Sequence, residues 1–105
     1  MAHPIGIDAL KKMVAEGAKP TLLDVRRKTD YAAAPQTIET ARWFDPEMVE
    51  TWAGALSPDH PVIVYCVKGG SVSQSVADRL MGKQVDVRYL EGGILAWQTA
   101  KRGDG

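Results

Sequence analysis

The run Val62-Ile63-Val64-Tyr65-Cys66-Val67-Lys68-Gly69-Gly70-Ser71 contains the change of pattern on which the fold turns. Its first four residues are β-branched or aromatic with no polar alternation, which suits a strand covered on both faces at the centre of a parallel sheet. Gly69 and Gly70 break the run. From Val72 the period changes: Val72, Val76 and Leu80 fall one helical turn apart, with Ala77 and Met81 beside them and Gly82 as a stop. Strand, loop, helix is the repeating unit of an α/β domain, and Cys66 is the first residue past the strand.

Toward the N-terminus, Thr21 to Val25 reads as a second buried strand, ended by Arg26 and Arg27. Before it, Leu10, Met13 and Val14 stand at i, i+3 and i+4 between Asp8, as N-cap, and Gly17, as the residue past the C-cap, which predicts a short amphipathic helix. Lys28 to Glu39 reads as irregular, with Pro35 as a breaker, and Thr40 to Phe44 as a short strand. Asp45-Pro46 is a helix start, because the carboxylate accepts from orphan amides and proline at the first helical position loses no needed donor. Val49, Trp52, Ala53 and Leu56 continue one apolar face, and Ser57 to Pro61 makes a turn. Val85 to Leu90 supplies a further strand, Gly92 and Gly93 a tight turn, and Ile94 to Ala100 a last helix presenting Ile94, Leu95 and Trp97. The final five residues read as frayed.

With 105 residues the chain is one domain, residues 1–105, and its 45% hydrophobic and 25% charged content is that of an ordinary globular protein. Thirteen basic residues balance thirteen acidic ones, so the positive field that nucleic acid or anionic membranes would require is missing. Met1 to Leu10 lacks a basic segment followed by an apolar run, and no stretch approaches the roughly 18 apolar residues of a membrane span, so a cytoplasmic protein is expected. One cysteine excludes an internal disulfide, and with only His3 and His60 the ligands of a structural zinc site are lacking. Neither metal nor cofactor is expected.

In open parallel sheets ligands bind beyond the carboxyl ends of the strands, where loops meet helix N-termini with unpaired amides. Cys66 sits at such an end. Val67, Lys68, Gly69, Gly70 and Ser71 are few enough to wrap round the sulfur with amides inward as an anion nest, the two glycines permitting positive φ. A free thiol titrates near pH 8.5, and lowering that by about two units takes roughly 2.7 kcal/mol. A helix N-terminus supplies about 0.3–1 kcal/mol, so loop amides and the charge of Lys68 are expected to contribute the remainder. The residues alone leave a second reading open, in which Cys66 merely ends a core strand, Lys68 is solvated and the glycines serve a turn. A phosphate-binding P-loop fits less well, since Gly69-Gly70 lacks the Gly-Lys-Ser/Thr ending.

Three segments, in order, resemble the rhodanese-like family: Leu23-Asp24-Val25-Arg26, then Cys66 through Ser71, then Leu90-Glu91-Gly92-Gly93 with Trp97. The resemblance implies an open, mainly parallel α/β sheet of about five strands with helices on both faces. It also implies a sulfurtransferase in which Cys66 takes the outer sulfur of a donor such as thiosulfate and passes it, through a persulfide, to cyanide or a thiol. Catalysis then falls to Cys66, and the persulfide-binding loop comprises Val67, Lys68, Gly69, Gly70, Ser71 and Val72, with Asp24 and Arg26 in support. Lys68 stands where thiosulfate-using members often carry a basic residue. The chain departs from the pattern at Ser71 and Val72, where Arg and Ser/Thr are common, and at Gln36-Thr37-Ile38, where Gly-His-Ile is usual. No arginine occurs between Cys66 and Arg79, which disfavours the related phosphatase and arsenate chemistries. Asp24 is expected to organise the loops at the strand ends and Arg26 to face the pocket, or else to form a surface ion pair.

Ser71 is the expected hydrogen-bond donor. Trp43, Trp52 and Trp97 read as packing residues, and His60 receives no role. A persulfide carrier or interaction module, handing sulfur between proteins without turning over free thiosulfate, is the rival class and would have the same loop.

Overall fold

The computed structural model describes residues 2–38, 40–56 and 60–103. Five parallel strands form one sheet in the order β1 (His3–Ile5), β5 (Val87–Leu90), β4 (Val62–Tyr65), β2 (Thr21–Asp24), β3 (Arg42–Trp43). The helices are α1 (Ile7–Ala15), α2 (Lys28–Ala33), α3 (Val49–Trp52), α4 (Ser71–Gly82) and α5 (Gly93–Gly103), with 3-10 turns at Pro46–Met48 and Ala53–Ala55 flanking α3. The α/β class and the parallel sheet of five strands are those expected.

The sheet divides the apolar side chains into two layers, because successive residues of a strand point to opposite faces. Val62 and Val64 of β4, with Leu23 of β2, pack on one face against Val49, Ala53, Val76, Ala77 and Leu80. Ile63, Tyr65 and Leu22 pack on the other with Ile5, Leu10, Leu90 and Ile94, joined by the partly buried Trp97. All four residues of β4 are therefore buried, the condition its unbroken apolar run required. Tyr65 is fully buried, and its hydroxyl oxygen accepts from the Ile38 amide at 3.0 Å. Burial pushes the Tyr65 phenol up from its ordinary value, so it stays protonated.

Several boundaries differ from the sequence expectation. β1 was not foreseen: three residues long, with His3 and Pro4 exposed, it lies at the sheet edge where proline is tolerated. α1 starts at Ile7 behind Gly6, so Asp8 lies in its first turn instead of capping it. Gly17 does follow the C-cap Glu16, and the amides of Gly17 and Ala18 return to Val14 and Met13 at 3.1 and 3.0 Å. Lys28 to Ala33, expected to be irregular, is helix α2, which buries no residue and so gave no apolar period to read. β3 is only Arg42–Trp43, and β5 begins at Val87, two residues late, the Val85 amide being tied back to the Leu80 carbonyl of α4 at 3.1 Å. Asp45 caps as expected, its side chain accepting from the Glu47 amide at 2.9 Å, but the apolar face behind it is broken into 3-10 and α turns. α5 runs past Ala100 to Gly103. Residues 104 and 105 of the expected frayed end, Glu39, and residues 57–59 of the expected turn lie outside the described residues.

Replacing Tyr65 by Phe keeps the ring and removes the acceptor for the Ile38 amide. We expect Tyr65→Phe to lower the unfolding free energy in urea by about 1–3 kcal/mol, with faster hydrogen exchange at Ile38.

Candidate functional site

β2 and β4 bring their carboxyl ends together because Asp24 is in register with Tyr65, and the Val25 amide donates to the Tyr65 carbonyl at 2.8 Å. Arg26 and Cys66 thereby arrive side by side, at the place where the sheet's connections diverge. Cys66 is 5% exposed. Its thiol donates to Ser73 Oγ at 3.2 Å, and the Ser73 hydroxyl is 3.4 Å from the Gly70 carbonyl that it donates to.

Ser73 was missed by the sequence reading, which chose Ser71. Ser71 is exposed at the first position of α4 and makes no hydrogen bond to the sulfur. Ser73 is fully buried and shares the inward stripe of the helix with Val76, Ala77 and Leu80, at i, i+3, i+4 and i+7. That spacing is the signal that separates the two serines: the hydroxyl on the apolar stripe faces the strand end.

The loop from Cys66 to α4 is held from behind by α5. The Ile94 amide donates to the Cys66 carbonyl at 2.9 Å and the Leu95 amide to the Val67 carbonyl at 3.2 Å. This approach requires glycine at 93: a Cβ there would fall on the Cys66 carbonyl oxygen and 2.6 Å from Val67 O, and its φ is 61°. Gly69, at φ 73°, is pressed the same way, since a Cβ would stand 2.7 Å from the Gly92 amide and 2.8 Å from the Leu90 carbonyl. Gly70 has φ −88°, so only the first of the loop glycines uses positive φ. With two carbonyls committed to α5, the amides of residues 67–73 are left with no protein acceptor among the described residues. A stretch of unpaired amides beside one sulfur is suited to negative charge.

A cavity of about 340 Å³ opens at this point, lined by Cys66, Val67, Lys68, Gly70, Ser71 and Val72 from the loop and by Arg26, Arg27 and Asp30 from the end of β2 and the start of α2. Of the residues singled out from sequence, Gly69 and Asp24 do not line it. Gly69 is tucked against the Gly92 turn, and Asp24 lies beneath Arg26. Lys68 and Arg27 are exposed at its mouth, where Asp30 is the one carboxylate in the lining.

Arg26 and Asp24 form a buried pair, 3% and 0% exposed, which excludes the surface ion pair considered from sequence. Arg26 Nε lies 3.0 and 2.9 Å from the two Asp24 oxygens, and its terminal nitrogens donate to Asp24 and to the carbonyls of Ala34 and Gln36. Burial alone would lower the Arg26 titration, but the hydrogen bond and charge of Asp24 outweigh it and hold the guanidinium above its ordinary value. Arg26 thus borders the cavity, yet most of its donors are spent on Asp24 and on the segment after α2. Trp43 belongs to the same assembly: it stacks on Tyr31 at 4.8 Å and donates from Nε1 to the Arg26 carbonyl at 2.8 Å. Trp52 and Trp97 pack on the two core layers.

Gly93→Ala is the sharpest probe of how the loop is held. A side chain at positive φ costs about 1–2 kcal/mol before any overlap is counted, so we expect at least that loss in denaturant unfolding, together with altered reactivity of Cys66 toward iodoacetamide.

A family model for the rhodanese-like domain matches residues 7–100. Among solved structures, a rhodanese-like domain protein from Staphylococcus aureus has a TM-score of 0.79 at 23% identity over 90% of each chain. A rhodanese-related protein from Thermoplasma volcanium has 0.79 at 20%, covering 93% of this chain and 92% of that one. A Rhodopseudomonas palustris protein of unknown function, called a possible tyrosine phosphatase, has 0.79 at 22%, covering 95% and 82%. No curated protein gives a match. Because the family model takes in nearly all of the sheet together with the Cys66 loop, the chain belongs to the rhodanese-like domain family.

Proposed function

We propose that the protein is a cytoplasmic sulfurtransferase in which Cys66 carries sulfane sulfur from a thiosulfate-like donor to a thiol or to cyanide. The observation that carries this reading is the run of amides over residues 67–73, unpaired within the described chain, beside a single thiol at the end of the central strand. Two exposed cations, Lys68 and Arg27, stand at the entrance and favour a small dianion.

In the first half-reaction the Cys66 thiolate attacks the outer sulfur of thiosulfate. The S–S bond breaks with its electron pair going to sulfite, and a persulfide remains on Cys66. Ser73, which accepts from the thiol at rest, turns its proton toward the sulfur once that sulfur is anionic. In the second half-reaction the acceptor attacks the outer sulfur, and Cys66 leaves as thiolate. No proton need pass through a protein acid or base, and the lack of a histidine at the site agrees with this: His60 is exposed and does not line the cavity. Fixed dipoles and orientation supply the catalysis. Phosphate-ester hydrolysis is less well supported, since the loop brings no arginine to the cavity and Arg26 is engaged by Asp24.

Incubation with thiosulfate should add the mass of one sulfur atom to the protein, and Cys66→Ser should abolish the adduct. Ser73→Ala should slow loading about tenfold, equivalent to about 1.4 kcal/mol. Lys68→Ala should raise the KM for thiosulfate while leaving unfolding within about 0.5 kcal/mol of the parent, as expected of an exposed side chain. Adduct formation without steady-state thiocyanate production would identify a carrier in place of an enzyme. The lack of any adduct would overturn both.

A further inference from the structure

A cavity of about 750 Å³ lies against the amino-terminal half of β2 and shares no lining residue with the one at Cys66. It exists because β3 is short. β3 sets Arg42 and Trp43 opposite Leu23 and Asp24, so Thr21 and Leu22 have no strand beside them on that edge. Leu22 and Leu23 belong to opposite core layers, yet both line the cavity, which therefore wraps round the edge of the sheet. Val14 of α1, Ile38, Phe44, Leu56 and Trp97 of α5 supply further apolar wall. Leu22 is in register with Ile63, so Cys66 lies three residues, about 10 Å, further along the strands.

The polar groups facing this apolar space favour an anion. Lys19 and Arg42 stand exposed in the lining, neither makes a salt bridge, and no carboxylate lines the cavity among the described residues. The backbone adds a donor. The amides of Thr21 and Val25 donate to the Pro61 and Tyr65 carbonyls, each at 2.8 Å, on the β4 side. Strand alternation turns the Leu22 amide the other way, toward the edge where the Asp24 carbonyl takes the Phe44 amide at 2.8 Å. β3 begins at Arg42, too late to place an acceptor there, and the Leu22 amide has none among the described residues although Leu22 is only 6% exposed. An amide withdrawn from water in this way gains from any acceptor that reaches it.

We infer that this cavity is a binding site for a small amphipathic carboxylate, with an aliphatic or aromatic body. The body covers Leu22, Leu23, Phe44 and Trp97, while the carboxylate accepts from the Leu22 amide and faces Arg42 and Lys19. Apolar walls with a few convergent polar groups, at this volume, are the ordinary form of a small-molecule site. A neutral apolar molecule would leave the amide unpaired, and a cation would meet two like charges. A carboxylate satisfies all three groups through charge-assisted hydrogen bonds. Bound on the far side of the sheet's length from the sulfur, this ligand takes no part in sulfur transfer, and the assignment stands whether or not Cys66 forms a persulfide.

Decanoate is the probe, with decyltrimethylammonium as the matched cation. Decanoate should bind saturably, one molecule per chain, below its micelle concentration. It should shift the amide resonances of Leu22 and Ile38 and the indole N–H of Trp97. Decyltrimethylammonium should bind at least about fivefold more weakly. Arg42→Gln should weaken decanoate binding at least about threefold, and Arg42→Lys should restore most of it. Val14→Trp, at an exposed position of the wall, should block the site while leaving the urea unfolding midpoint near that of the parent. Equal binding of the two amphiphiles would overturn the assignment, since apolar contact alone would then explain it. Shifts centred on residues 67–72, or no saturation, would overturn it as well.

Discussion

The contact between the Gly92-Gly93 turn and the Cys66 loop is the constraint on which the site depends. Two amides at the start of α5 hold the carbonyls of Cys66 and Val67, and they reach them only because position 93 has no side chain. A loop whose carbonyls are fixed on one side has its amides left for something else. The site is therefore built jointly by β4, which delivers the sulfur, and by a turn almost thirty residues later in the sequence, which decides how the loop around it is held.

A second arrangement stabilises the opposite wall. Asp24 and Arg26 are taken out of water together, and such a pair is tolerated only when its remaining donors and acceptors are satisfied. Here the guanidinium finds two further carbonyls, those of Ala34 and Gln36, and the carboxylate also accepts from the Arg26 amide at 3.0 Å. The ion pair ties the segment after α2 to the end of β2. This leaves the exposed cations Lys68 and Arg27 as the uncommitted positive charges at the mouth of the cavity. A chain of zero formal net charge thus presents a locally basic entrance, which bulk composition does not reveal.

The sequence disclosed the parts of the fold in which periodicity and burial agree. β4 was legible because all four of its residues are buried, and α4 because Val72, Val76 and Leu80 repeat along it. β1 and α2 were not legible, since a three-residue edge strand with two exposed positions and a helix with no buried residue leave no apolar signature. At the site, the position of Cys66 after a buried strand and the glycine at 69 were readable. The choice of Ser73 over Ser71 needed the helix phase, which depends on where α4 begins. The roles of Arg27 and Asp30 depended on a helix that had not been foreseen, and the burial of Arg26 on tertiary contacts with carbonyls eight and ten residues away.

The two sides of the entrance are anchored by different means. The loop bearing the sulfur is clamped between the central strand and two helices, whereas α2 touches the body of the protein through Arg26 and through the stacking of Tyr31 on Trp43, without a buried side chain of its own. Segments of that kind open at a small fraction of the free energy of global unfolding. The two walls of one cavity thus differ in firmness: the wall that holds the thiol is fixed by backbone hydrogen bonds from α5, while the facing wall can give without disturbing it.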